Sequence, residues 1–134
     1  MPTAYVAVGS NLGDRSGWHA FAEAGLGGLH GVRVDAATTV HETAPLGGAE
    51  QPPYLNRMMR LDTTLSPHAL LGACHDIERA AGRDRARRWA SRTLDLDLVR
   101  YDDLTCDTPT LVLPHPGLRD RTFWAREIAE LEAR

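Results

Sequence analysis

Lysine is absent from the chain: all fifteen basic residues are arginine. That excludes a Walker-type phosphate loop, which needs a lysine to reach the terminal phosphates of a nucleotide. Cysteine is scarce. Cys74 and Cys106 are the only two, with no metal-type spacing, and read as reduced thiols without a function. No apolar run approaches the ~20 residues of a membrane span, and Met1-Pro2-Thr3-Ala4-Tyr5 carries no basic stretch leading into an apolar signal segment. The expected compartment is the cytoplasm, with no membrane partner. An excess of positive charge is also missing, and a net charge of -3 argues against general affinity for nucleic acid.

The remaining composition is that of an ordinary folded protein, 43% apolar and 25% charged, and 134 residues suffice for one core. A single domain over residues 1–134, acting as a monomer, is expected. The charge is unevenly distributed: Arg79, Arg83, Arg85, Arg87, Arg88 and Arg92 fall within fourteen residues.

Tyr5-Val6-Ala7-Val8 is a short apolar run entering the turn Gly9-Ser10-Asn11-Leu12-Gly13-Asp14, as a buried strand would. Trp18, Phe21, Ala22 and Leu26 recur at helical spacing up to Gly27-Gly28. A second strand is expected from about Val32 to His41. Residues 42–53 are rich in helix and strand breakers, and a loop of this length suggests binding or a lid. The third strand, about Tyr54 to Thr63, puts Leu55, Met59 and Leu61 on one face and Tyr54 with Asn56 on the other. Ser66-Pro67 opens a second helix through Leu70, Leu71, Cys74, Ile77 and Glu78, which Gly82 can end. After the arginine-rich loop, Leu94 to Tyr101 is the fourth strand. Strand, helix, strand, strand, helix, strand is the order of a ferredoxin-like α+β sandwich. Its antiparallel sheet carries the helices on one face and leaves the other to the long loops.

The sharpest local signal is Arg92-Thr93-Leu94-Asp95-Leu96-Asp97-Leu98. Alternation along a strand puts Asp95 and Asp97 on one face and the three leucines on the other. Like charges held this close repel, and a hard divalent cation shared between them removes the cost. From the heptapeptide alone, magnesium ligation and a solvated outer face are equally consistent readings. The arginine cluster leading into this strand supplies bidentate donors opposite the carboxylates, an arrangement suited to a polyphosphate. A nucleic-acid backbone is the competing anion, but the paired aspartates oppose it.

Four separated motifs now stand in order. They are Ala4 to Arg15; Glu42-Thr43-Ala44-Pro45-Leu46-Gly47 with Gln51-Pro52-Pro53-Tyr54-Leu55-Asn56; Arg88 to Leu98; and Leu113-Pro114-His115-Pro116 followed by Arg121 and Phe123. Together they resemble the 6-hydroxymethyl-7,8-dihydropterin pyrophosphokinase family over nearly the whole chain. The resemblance implies ATP-dependent transfer of diphosphate to the hydroxymethyl group of a reduced pterin in folate biosynthesis, with AMP released. It implies two magnesium ions on Asp95 and Asp97, and ATP held by Arg83, Arg85, Arg92, Arg121, His115 and Trp89, with Leu98 and Leu111 at the adenine. Arg83 and Arg92 would also serve catalysis. Thr43, Leu46, Tyr54, Asn56, Trp89 and Phe123 would form the pterin site, the ring lying between Tyr54 and Phe123.

The sequence departs from the family pattern at His75, where glutamine is usual near ATP, and at Ala44 and Ala90-Ser91. Trp124 to Leu131 fits the following segment poorly, and the chain is shorter than its relatives usually are. Three alternatives stay open: a related pyrophosphokinase acting on another heterocyclic alcohol, a non-catalytic pterin- or nucleotide-binding homologue, and an arginine-rich nucleic-acid binder, whose binding would depend strongly on salt.

Overall fold

The computed structural model describes residues 1–44, 52–82 and 93–134. Strand β1 (Thr3–Ser10) lies between β4 (Tyr54–Thr63) and β5 (Asp95–Tyr101), antiparallel to both. Strand β2 (Val32–Ala37) adds to the far side of β4, giving the order β2-β4-β1-β5, and the short β3 (His41–Thr43) also pairs with β4. Helices α1 (Arg15–Gly27) and α2 (Pro67–Ala80) complete the expected βαββαβ core.

Side-chain alternation along β1 builds two cores. Ala4, Val6 and Val8 join Met59, Leu61, Leu96 and Leu98 against Ala22 and Leu26 of α1 and Leu70, Cys74 and Ile77 of α2. Tyr5 and Ala7 join Met58 and Val99 on the opposite face. There they pack on a helix that the sequence pattern did not announce, α3 (Thr122–Glu132), through Trp124, Ile128 and Leu131. The two expected helices thus share one face, and α3 covers part of the other. Phe21, one of the residues that recur at helical spacing in α1, is 39% exposed and meets Trp18 edge-on.

The helix ends follow their sequence signals. Asp14 caps α1 by accepting from Gly17 N–H at 3.0 Å, and Ser66 accepts from Ala69 N–H ahead of Pro67. Gly82 has φ +82°, a left-handed conformation suited to glycine just past α2.

The second strand departs from expectation. Instead of running unbroken from Val32 to His41 it divides into β2 and β3. Thr38 causes the interruption: its hydroxyl accepts the Met58 N–H at 2.9 Å while its own N–H donates to Met58 C=O. A side chain thereby takes a bond that a continuous ladder would give to backbone. Strands β6 (Cys106–Asp107) and β7 (Val112–Leu113) form a separate hairpin beyond β5. It leads through a cis Leu113-Pro114 bond to His115, whose N–H donates to Val99 C=O.

Candidate active site

Pairing across the sheet assembles the site. Asn56 on β4 and Asp95 on β5 both face Gly9 of β1, and His41 on β3 faces Asn56, so His41, Asn56, Gly9 and Asp95 form one row. Paired residues project from the same face, and strands lie ~4.8 Å apart, so Asn56 and Asp95 stand about 10 Å from each other. The next row toward the core is Met58, Ala7 and Asp97. Asp95 and Asp97 therefore share the α3 face of the sheet, while Leu94, Leu96 and Leu98 are buried on the other. The alternation read in the heptapeptide holds.

Gly9 is the floor of this surface. A Cβ there would come within 3.1 Å of Asn56 Oδ1 and 3.4 Å of the Tyr54 ring, so its lack of a side chain lets both residues close over β1. Asn56 Nδ2 donates to Thr43 Oγ1 at 2.5 Å, which turns the amide oxygen toward Gly9. Tyr54, Asn56 and Thr43 are thus neighbours; the strand pattern grouped the first two, and the resemblance implied the third. Asn11 Nδ2 donates to Pro52 C=O and Arg15 to Pro53 C=O, and Arg15 also pairs with Glu42 at 3.1 Å. The first turn and α1 thereby hold both flanks of the glycine- and proline-rich loop.

His115 stands beside the carboxylates. Its Nδ1 accepts from Gly117 N–H at 2.9 Å, and its Nε2 lies 3.6 Å from Asp97 Oδ1. With Nδ1 occupied as an acceptor, the ring proton resides on Nε2, facing the aspartate. The imidazole packs edge-on against Trp124, and the Arg121 guanidinium lies over the same indole at 4.8 Å. Phe123 meets His41 edge-on, with ring centroids 5.6 Å apart, at the end of the row away from Asp95.

A pocket of about 260 Å³ wraps over β5, with Asp97, Leu98, Leu111, His115 and the divergent His75 in its lining. Leu98 and Leu111 are almost wholly buried, so they form its apolar base rather than an exposed wall. Leu46, Arg83, Arg85, Trp89 and Arg92 lie outside the described residues.

The carboxylate pair suits magnesium, which commonly takes one or two protein carboxylates and completes its shell with phosphate and water. Among the described residues no group of three or more His, Cys, Asp and Glu side chains forms a dedicated metal cage.

One residue escaped the sequence reading. Glu78, 1% exposed on α2, accepts from Leu96 N–H at 2.7 Å through Oε2. This satisfies β5 backbone between the two aspartates, on the side that β1 does not reach. The available signal was a glutamate on the otherwise apolar stripe of Leu70, Cys74 and Ile77.

Residues 5–133 match the family described as 7,8-dihydro-6-hydroxymethylpterin-pyrophosphokinase (HPPK). A protein of Methylorubrum extorquens named 2-amino-4-hydroxy-6-hydroxymethyldihydropteridine pyrophosphokinase is 40% identical over 131 residues, covering 98% of this chain and 83% of that protein. Proteins of the same name are 37% identical in Bacillus subtilis, over 96% of this chain and 77% of that protein, and in Haemophilus influenzae, over 92% and 77%.

Proposed function

Since the chain belongs to the 7,8-dihydro-6-hydroxymethylpterin-pyrophosphokinase family and is an ATP-dependent diphosphotransferase of folate biosynthesis, we propose that its acceptor is 6-hydroxymethyl-7,8-dihydropterin and that transfer occurs on the sheet face bearing Asn56 and Asp95. The observation that carries this reading is the row of Asn56, Gly9 and Asp95. It sets a polar and aromatic corner beside a carboxylate pair with no side chain between them.

At the acceptor end, Tyr54 and Phe123 supply aromatic faces, and Thr43 with Asn56 meets the polar edge of the heterocycle. At the other end Asp95 and Asp97 would hold two magnesium ions, which would supply neutralisation of the phosphate charge. His115 presents its Nε2 proton toward Asp97 and the phosphates, and Arg121 adds a fixed positive charge from the start of α3. From the resemblance, Arg83, Arg85 and Arg92 grip the triphosphate, and Trp89 and Leu46 close over the substrates.

The hydroxymethyl oxygen attacks the β-phosphorus. A bond from that oxygen to phosphorus forms, the bond to the oxygen bridging the α- and β-phosphates breaks, AMP leaves, and the hydroxyl proton is released. Alignment and charge neutralisation supply most of the acceleration, so no strong protein base is required. The protein acts as a monomer.

Release of AMP from ATP with reduced hydroxymethylpterin as acceptor tests the reaction. Asp97→Ala is expected to lower turnover by about 10²-fold or more while pterin affinity measured without nucleotide stays near wild type. Wild-type turnover in that variant refutes the metal assignment, and pterin binding without AMP formation in the native protein refutes the catalytic reading.

A further inference from the structure

On the same face, at the end of the row away from the carboxylates, α3 buries an acid with no part in the scheme above. Glu127 is 6% exposed, on the side of α3 that carries Trp124 and Ile128 onto the sheet. Its Oε2 accepts from Thr38 Oγ1 at 3.2 Å and stands 3.7 Å from His41 Nδ1. Thr38 has little freedom in this. Its hydroxyl oxygen already accepts from Met58 N–H, so the hydroxyl proton is left to point at the carboxyl. The His41 ring meets Phe123 at 79°, edge to face. A continuous series of contacts thus runs from the β4 backbone through Thr38, Glu127 and His41 to Phe123. Among the described residues, Glu127 Oε1 and His41 Nε2 are buried without a hydrogen-bond partner.

We propose that Glu127 and His41 are a positioning pair for the acceptor site: the carboxyl that Thr38 anchors lies against the imidazole and fixes its plane, and the ring edge holds Phe123 in the orientation that receives the heterocycle. The proposal rests on the reading of Phe123 as a wall of that site.

The charged and polar neighbours of Glu127 set its response to pH. Thr38 and His41 face it from the strand side, Met58 from β4 is apolar, and Arg126 and Glu130 flank it on its own helix. Glu130 is paired with Arg134, whose guanidinium also donates to Ala37 C=O. Burial holds the Glu127 carboxyl up to about 7, with Glu130 adding to the rise while Thr38 and Arg126 oppose it. Above that pH the carboxylate is ionised in apolar surroundings, and the start of α3 is expected to loosen around Phe123.

Binding of reduced hydroxymethylpterin to the full chain without nucleotide, followed by fluorescence between pH 6 and 8, reads the pair directly. Kinetic constants for AMP release accompany it. Glu127→Leu is expected to weaken pterin binding about fivefold to tenfold with kcat at saturating pterin nearly unchanged. Glu127→Gln, whose amide oxygen can accept from Thr38 and whose side chain stays uncharged, is expected to keep affinity at pH 6 and to remove the weakening that wild type shows above pH 7. His41→Phe keeps a ring edge but loses the polar contact to Glu127, so it is expected to weaken pterin binding while the dependence on pH, which belongs to Glu127, persists. Wild-type affinity in Glu127→Leu, or a Glu127→Gln profile as steep as that of wild type, overturns the pair. Phe123→Ala serves as the reference: if it binds pterin normally, the reading of Phe123 fails and takes the proposal with it. If it loses affinity while the Glu127 and His41 variants do not, the proposal alone fails.

Discussion

His115 Nδ1 accepts from the N–H of Gly117 two residues ahead, and this turns Nε2 toward Asp97 Oδ1, 3.6 Å away. Gly117 also makes room for what surrounds it. A Cβ there would fall 2.5 Å from Arg121 Nη1 and 2.9 Å from both His115 Nδ1 and the Trp124 ring. The guanidinium could move aside, but the two rings are packed against each other and cannot. Gly117→Ala is therefore expected to raise KM for ATP and lower kcat, together about tenfold to a hundredfold in kcat/KM. Pterin affinity without nucleotide should be preserved. Steady-state kinetics with each substrate varied in turn checks this.

Glu78 ties α2 to the strand that carries both aspartates. Glu78→Leu leaves the Leu96 N–H buried without its acceptor, at a cost of about 1–3 kcal/mol in denaturant unfolding. It also frees β5 to shift, so AMP release should fall by more than the loss of folded protein accounts for. Glu78→Gln retains an acceptor oxygen and should recover most of the stability. Equal stability of the leucine variant and wild type would contradict the role assigned to this bond.

Thr43 orients Asn56 by accepting from its amide at 2.5 Å. Thr43→Val keeps the shape and removes the acceptor, so the amide is free to rotate. KM for the pterin is expected to rise by about 1–2 kcal/mol of binding, and Asn56→Ala should cost at least as much because a polar edge of the heterocycle is then left unmatched. kcat at saturation should change little in Thr43→Val. A drop in kcat with unchanged KM would mean that Thr43 acts on transfer rather than on binding.

Glu127 makes stability depend on pH. Its carboxyl is raised from 4.5 to about 7 by burial, so the folded protein holds this proton more tightly than the unfolded chain does. The resulting stability is fully present below pH 4.5, declines as pH rises through about 7, and is level above that. Allowing for partial screening, the decline is about 2 kcal/mol. Glu127→Gln has no such proton to lose, so the stability difference between variant and wild type should shift in favour of the variant from pH 5 to pH 7.5. Urea midpoints at the two pH values measure it, and parallel behaviour of the two proteins would contradict the assignment.

Much of this molecule was legible in local pattern. Period-two alternation in Leu94-Asp95-Leu96-Asp97-Leu98 placed the aspartates together because neighbouring strand residues must face opposite ways. Tyr54 and Asn56 were grouped for the same reason. Ser66-Pro67 and Gly82 marked the limits of α2 through backbone preferences that hold in any protein. The order of these elements was enough for the sandwich.

Other features have no local signature. The division of β2 from β3 depends on Thr38 bonding to Met58, twenty residues along the chain. The covering of the second sheet face depends on Trp124, Ile128 and Leu131 finding Tyr5, Met58 and Val99. The pairings of Glu78 with Leu96, His115 with Asp97, and Glu127 with Thr38 and His41 join residues 18 to 89 positions apart. By itself the sequence determined which side chains share a face, because that follows from backbone geometry within a few residues. Only the tertiary structure decided which faces meet, because a buried polar atom takes whatever partner the packing of distant elements brings within reach.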